Sequence, residues 1–326
     1  DLVGGDRVVA VGTRGTTWRS SVARNDWQCA CAGTQFNLER VQFVDRERGW
    51  AVGGWSRDKR VALCGGMGII LSTNDGGDTW RPSWQAKGAW FYDLCFVSPQ
   101  IGYVCGGYGT VMKTTDGGHT WQGPLSTGTN SWLYGVHFVD ENIGWAVGTH
   151  ETLLHTRNGG KTWQSQTADG WRRPRDLRER LRSVDFVDSS HGWAVGERGT
   201  ILRTTDGGNR WTQQKLPIAD EFVDLLELRD VCFVDREAGW IVGLLGSIVL
   251  RTDDGGRSWS LCRTGYRGGL HAVKAADRQH VWAVGERGAR LASSDGGRTW
   301  SVNASTSRPA WAFITPHDHH LNNWAG

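Results

Sequence analysis

Apolar residues recur along this chain in two short phrases rather than with a helical period. Val41 to Gly53 reads VQFVDRERGWAVG, Val136 to Gly148 reads VHFVDENIGWAVG, and Val184 to Gly196 reads VDFVDSSHGWAVG; variants stand at Leu94 to Gly106, Val231 to Gly243 and Val273 to Gly285. Each is a pair of short apolar runs separated by an Asp/Gly-rich turn, which predicts a β-hairpin, Val-x-Phe-Val followed by Trp-Ala-Val-Gly. A second phrase, Thr/Ser-x-Asp-Gly-Gly-x-Thr-Trp or a near variant, follows six times and ends at Trp80, Trp121, Trp163, Trp211, Trp259 and Trp300. The gaps between those tryptophans are 41, 42, 48, 48 and 41 residues, the period of a four-stranded propeller blade.

Gly15 to Trp27 aligns without a gap to Gly199 to Trp211, so Ser21 to Trp27 is a degenerate seventh box that lacks its Asp and glycines. Val8 to Gly12 matches the second strand of a blade, and no Val-x-Phe-Val run precedes it. Trp311-Ala312-Phe313-Ile314 resembles that inner strand and follows the last box. The expected fold is an all-β, seven-bladed β-propeller of four-stranded blades. It is one domain over 1–326, with inserts at about 164–181 and 212–228 and the ring closed by pairing N- and C-terminal strands, which removes an exposed sheet edge.

The box has a structural logic. Its Asp can accept backbone amides in a tight turn, its glycines supply positive φ, and its Trp packs between blades. Asn158, which replaces Asp in one box, should still make the turn. Of the 20 tryptophans, six sit in boxes, five in the second-strand phrase and one, Trp27, in the degenerate box, so twelve are assigned to packing.

Composition narrows function by exclusion. No run of 18 apolar residues is present, so no transmembrane helix is expected. A chain that starts inside a blade at Asp1 is expected to have lost an export signal. Cys95 and Cys232 occupy equivalent inner-strand positions, Cys64 and Cys105 equivalent positions before a Gly-Gly turn, and all four read as small core residues. Cys29-x-Cys31 has the wrong spacing for a zinc knuckle or a thioredoxin-like pair. His317-Asp318-His319-His320 has a metal-site composition, yet consecutive loop histidines do not converge readily on one ion; neither metal nor other cofactor is expected. A pI near 8.5 falls short of the strongly basic signature of nucleic-acid binding.

The charge that matters is arginine. Among 37 basic residues only six are lysine, and arginine's planar fork suits bidentate contact with carboxylates and stacking on aromatics. The densest cluster is Arg172, Arg173, Arg175, Arg178, Arg180 and Arg182, within WRRPRDLRERLR. In a propeller the crossovers and the loops between second and third strands share the face opposite the boxes. That face should collect this cluster with Arg198 and Arg287, while Glu39, Tyr92, Tyr134, Arg182, Arg229, His271 and Trp311 enter around the central funnel. The alternative reading of the charged run is a solvated turn with local ion pairs.

The phrases F-V-D-x-x-x-G-W-A-V-G and T-x-D-G-G-x-T-W, over nearly the whole chain, resemble the photosystem II stability/assembly factor family of chloroplasts and cyanobacteria and its relatives in non-photosynthetic bacteria. That resemblance implies a seven-bladed, non-enzymatic, exported (periplasmic or lumenal) propeller that holds a membrane-protein partner on an arginine-rich surface. The expected partner is an acidic segment of a membrane-associated complex. The competing class is carbohydrate: a glycan-binding propeller using Trp90, Trp132 and Tyr134, or a sialidase-like hydrolase drawing on Arg182, Arg229, Arg198, Glu227, Tyr134 and Tyr92. Against hydrolysis, the sequence lacks the opening Arg-Ile-Pro segment of sialidases and carries no recurring acid pair.

Overall fold

The computed structural model describes residues 1–4, 7–21, 26–54, 67–169 and 179–303. Seven antiparallel sheets follow one another along the chain, each running from the central channel outward in sequence order, with almost no helix. Blade 2 shows the pattern: inner strand Asn37–Phe43, then Gly49–Gly54, Met67–Thr73 and outer strand Arg81–Lys87. The inner strands of blades 3 to 7 are Phe91–Phe96, Leu133–Phe138, Leu181–Phe186, Leu228–Phe233 and Leu270–Ala275.

Blade 1 takes all four strands from the N-terminal segment: Leu2–Val3, Arg7–Val11, Thr16–Ser21 and Gln28–Cys31. The inner place expected for Trp311–Ile314 is held by Leu2–Val3, which pairs with Val8 and Arg7; residues 311–314 lie outside the described residues. Pairing of the two chain ends would involve residues outside the described ones; among the described residues, blade 7 meets blade 1 through side chains such as Arg290 on Trp18. The reason Leu2–Val3 holds the inner place is visible one residue earlier. An Asp1 carboxylate oxygen accepts the Phe43 amide at 2.7 Å, as Asp185 accepts the Phe233 amide at 2.7 Å, so Asp1 occupies the inner-strand position that precedes Phe in other blades. Two residues carry too little pattern to announce a strand.

Aromatic stacking joins the blades. Trp50, Tyr103, Trp145 and Trp193, on second strands, lie on Phe96, Phe138, Phe186 and Phe233 of the next blade, with ring centroids 3.4–3.6 Å apart and planes within 10°. The box tryptophans Trp121, Trp163, Trp211 and Trp259 meet those same phenylalanines edge-on at 5.7–6.0 Å. Second-strand indoles also have polar ties: Trp145 Nε1 donates to the Gly207 carbonyl at 3.2 Å, Trp193 Nε1 to Gly255 at 2.9 Å and Trp240 Nε1 to Gly296 at 2.9 Å. The second strand of one blade is thus locked to the box turn of the next.

The box turns behave as their chemistry requires. Asp254 accepts the Ser258 amide at 2.9 Å and hydroxyl at 2.6 Å, and Thr252 Oγ1 both donates to Asp254 and accepts the Gly256 amide. Burial opposes ionisation of Asp254, but the Ser258 and Thr252 hydrogen bonds outweigh it and hold the carboxyl down to about 2. Gly255 and Gly256, at φ 73° and 83°, sit in the left-handed region that favours glycine. Asn158 makes the same turn, its Oδ1 accepting the Thr162 amide at 2.9 Å.

The two inserts add structure of their own. Ala168–Asp169 runs parallel to the outer strand Trp211–Gln213 as a fifth strand of blade 5, and Asp220–Val223 forms a short helix before blade 6. The described cysteines are free thiols; Cys95, Cys105 and Cys232 are buried, Cys29 and Cys31 exposed, and Cys64 lies outside the described residues.

Candidate protein-docking face

Inner strands begin on the face opposite the boxes, and in blades 2 to 7 each begins with the same irregularity. The ladder skips one residue: Glu39, Tyr92, Tyr134, Arg182, Arg229 and His271 each fall in a bulge between two regular pairs. A bulged residue is unpaired and its side chain is re-aimed. Six of the seven residues read from sequence as funnel entries are thus set at one level around the channel mouth, the seventh, Trp311, lying outside the described residues.

Beneath them the channel is closed by a charged clamp. Arg40 of blade 2 reaches across to two other blades, its Nε 3.0 Å from Asp93 of blade 3 and its Nη1 3.0 Å from Asp230 of blade 6. Both carboxylates are buried, at 6% and 1% exposure, and tied further: Asp93 accepts the Val136 amide, Asp230 the Val273 amide and the Ser183 hydroxyl. Burial pushes the Asp93 carboxyl up to about 6 against the pull of Arg40. Arg40 is held charged first of all by Asp230. Arg40 was not among the residues singled out from sequence, although basic Arg40 and acidic Asp93 and Asp230 share one strand position, which is the signal that finds it.

Above the clamp, the arginines of blades 5 and 6 interlock with glutamates. Arg182 Nη2 donates to Glu197 at 2.9 Å and Glu227 at 2.7 Å while its guanidinium lies 4.6 Å from the Tyr134 ring centre. Arg229 bonds Glu227 at 3.0 Å and Arg180 approaches Glu197 at 3.6 Å. Glu39, itself solvent-exposed, completes the set; the protein crowded around its carboxyl raises it and Arg229 and Arg182 draw it back. Arg182 and Arg229 nonetheless keep a buried Nε without a hydrogen-bond partner. The mouth is an alternating network of arginine and glutamate.

Next to it lies an aromatic cluster. Tyr92 meets Tyr134 at 4.8 Å, Trp90 meets Trp132 at 4.9 Å, and Tyr108, 67% exposed, leans on Trp132 at 5.9 Å. Burial, with Tyr134 and Glu39 nearby, raises the Tyr92 hydroxyl well above its usual range. Tyr108 tops a hairpin in the left-handed conformation, φ 56°, and so do Arg14, Arg198 and Arg287 at φ 54°, 54° and 55°, each followed by glycine. Left-handed backbone costs a non-glycine residue about 1–2 kcal/mol. Four equivalent tips therefore carry local strain and present Arg, Tyr, Arg and Arg on one face.

Arg180, Arg182, Arg229, Tyr92 and Tyr134 come together at the mouth. His271 opens blade 7 at the same level and is exposed, and Arg198 and Arg287 stand at hairpin tips. Arg172, Arg173, Arg175, Arg178 and Trp311 lie outside the described residues, as do His317 to His320. Among the described residues no group of three or more His, Cys, Asp or Glu is placed to hold a metal ion, and no helix is long and apolar enough to cross a membrane.

Residues 123–186 and 174–267 match the family model described as photosynthesis system II assembly factor YCF48. Comparison with curated proteins gives no match. Among solved structures, YCF48 bound to D1 peptide is 21% identical with TM-score 0.65, over 90% of this chain and 87% of that one. YCF48 from Cyanidioschyzon merolae is 16% identical with TM-score 0.67, over 90% and 94%. An ancestral GH74 enzyme is 12% identical with TM-score 0.56, over 82% of this chain and 38% of that one. At such identities these structures share a fold with this chain. The protein is a seven-bladed β-propeller, and its residues 123–186 and 174–267 match the model of the photosystem II assembly-factor family.

Proposed function

We propose that this propeller is a non-catalytic assembly factor or accessory subunit that docks an acidic segment of a membrane-associated, photosynthetic complex on the face opposite its boxes. The observation that carries the reading is the ring of bulged inner-strand residues, which aims Arg182, Arg229, Tyr92 and Tyr134 into one mouth flanked by arginine-tipped hairpins. The unused Nε groups of Arg182 and Arg229 favour a carboxylate-bearing ligand, because a buried donor without a partner costs about 1–3 kcal/mol. The related YCF48 was solved with a D1 peptide, which supports a protein segment as the ligand class here too. Family resemblance further supports a lumenal or otherwise exported location.

The carboxylates at the mouth argue for binding over hydrolysis. Glu197 and Glu227 are both committed to Arg182 Nη2, whereas a glycosidase needs one carboxyl as proton donor and a second free to attack or to activate water. A glycan reading draws on Trp132 and the exposed Tyr108, which offer faces for stacking on a sugar.

Charge reversal tests the assignment. Replacing Arg198 and Arg287, which stand at hairpin tips, by Glu is expected to abolish co-purification of a membrane complex from native membranes with the thermal melt nearly unchanged, since surface charges contribute about 0–1 kcal/mol to stability. Retained binding would refute docking through this face, and selective capture of a glycan on an array would move the assignment to carbohydrate.

A further inference from the structure

Seven blades make seven interfaces, and six are sealed alike. Apolar clusters among the described residues join blades 1 and 2, 2 and 3, 3 and 4, 4 and 5, 5 and 6, and 6 and 7. No such cluster joins blade 7 to blade 1 among those residues. One position shows the difference. The residue opposite the valine or cysteine of the second strand, which packs into the following blade, is Ile70, Val111, Leu153, Ile201 and Val249 in blades 2 to 6. In blade 7 the same position, opposite Val284, is Arg290.

Arg290 is 9% exposed, and its Nε and Nη1 are buried without a hydrogen-bond partner. Its guanidinium stacks 4.0 Å from the Trp18 ring centre and 5.6 Å from that of Trp27, both in blade 1. Burial lowers its pKa, opposed only by the Cys29 thiol. Stacking on two indoles offsets part of the lost hydration of a cation, yet aromatic faces accept none of the in-plane N–H groups. A guanidinium enclosed at its faces and unbonded at its edge has the chemistry of a half-built carboxylate receptor.

We propose that the blade 7–blade 1 seam is a second binding site, distinct from the funnel mouth, which takes a carboxylate on Arg290 between Trp18 and Trp27. Among the described residues the seam lacks the apolar seal of the other interfaces, so it separates at less cost than they do to admit the ligand. The ligand is a carboxylate, free or borne on an acidic side chain.

Thermal melts of the full chain, with acetate exchanged for chloride at constant ionic strength, test this. Acetate is expected to raise the wild-type Tm by about 2–4 °C, because a ligand that binds only the folded state stabilises it by mass action. Arg290→Leu, which restores the aliphatic residue of blades 2 to 6, should melt higher than wild type in chloride and show no acetate response. Arg290→Lys, which keeps the charge without the planar fork, should show a reduced response. A capped peptide carrying a single glutamate, at the same carboxylate concentration, separates the sources: a larger response than to acetate assigns the site to an acidic segment, an equal one to free carboxylate. An identical acetate response in wild type and Arg290→Leu would overturn the proposal, as would a lower melt of Arg290→Leu in chloride, since Arg290 would then already have its partners.

Discussion

Arg40→Met is expected to destabilise the propeller by about 3–5 kcal/mol at neutral pH, because it leaves two buried carboxylates of different blades facing each other without a cation. Asp93 and Asp230 both depend on the one guanidinium, so the loss propagates to blades 2, 3 and 6 together. The sign of the pH dependence follows from Asp93. Its folded pKa of about 6 lies above the ordinary aspartate value of 3.8, so between those values the native state binds more protons than the unfolded one. Stability therefore falls as pH rises through that window, and the cost is complete above about pH 6. Without Arg40 the Asp93 carboxyl moves higher still, which widens the window and deepens the loss. Urea unfolding of Arg40→Met should thus approach wild type near pH 4 and diverge from it by pH 7. Equal differences at both pH values would mean that the arginine is held for shape rather than charge.

Trp193→Ala is expected to cost as much, about 3–5 kcal/mol for the lost burial and the cavity together. Trp193 is fully buried, stacks on Phe233 with ring centroids 3.4 Å apart, and donates to the Gly255 carbonyl of the next box. Truncation removes the wall between blades 5 and 6 and frees a box turn at once. Trp193→Phe should recover much of the packing and forfeit the hydrogen bond, worth about 1 kcal/mol. Denaturant melts of the two variants separate these contributions, and a loss under 1 kcal/mol for Trp193→Ala would contradict the stacked interface as the source of ring cohesion.

Much of this architecture was legible because its signals are local. A box turn needs Asp or Asn, two glycines and a hydroxyl within eight residues, and the period of its Trp counts the blades. Features set by contacts between distant residues were not legible. Arg40 and Asp230 lie 190 positions apart and meet only because the ring closes. Leu2–Val3 gains its role as an inner strand from pairing with Val8 and Arg7, not from any pattern of its own. Blade 3 lacks a full outer strand, reduced to a bridge between Lys113 and Gln122, and the Gly123-Pro124 that follows supplies a reason, since proline cannot donate to a ladder. At the site, Arg180 and Arg182 were found from sequence by their density, and Arg229 and the tyrosines by their strand position. That Glu197 and Glu227 would bind Arg182 depends on where two loops of successive blades end.

The most direct test of docking at the funnel face is a hydrogen-exchange footprint of the propeller alone and in its complex isolated from native membranes. Protection should gather at the inner-strand entries, Tyr92, Tyr134, Arg182 and Arg229, and at the Tyr108, Arg198 and Arg287 hairpin tips, with the box turns around Gly117, Gly207 and Gly255 unchanged. Protection confined to the box turns, with the funnel entries exchanging as in the free protein, would place the partner on the opposite face and contradict the assignment.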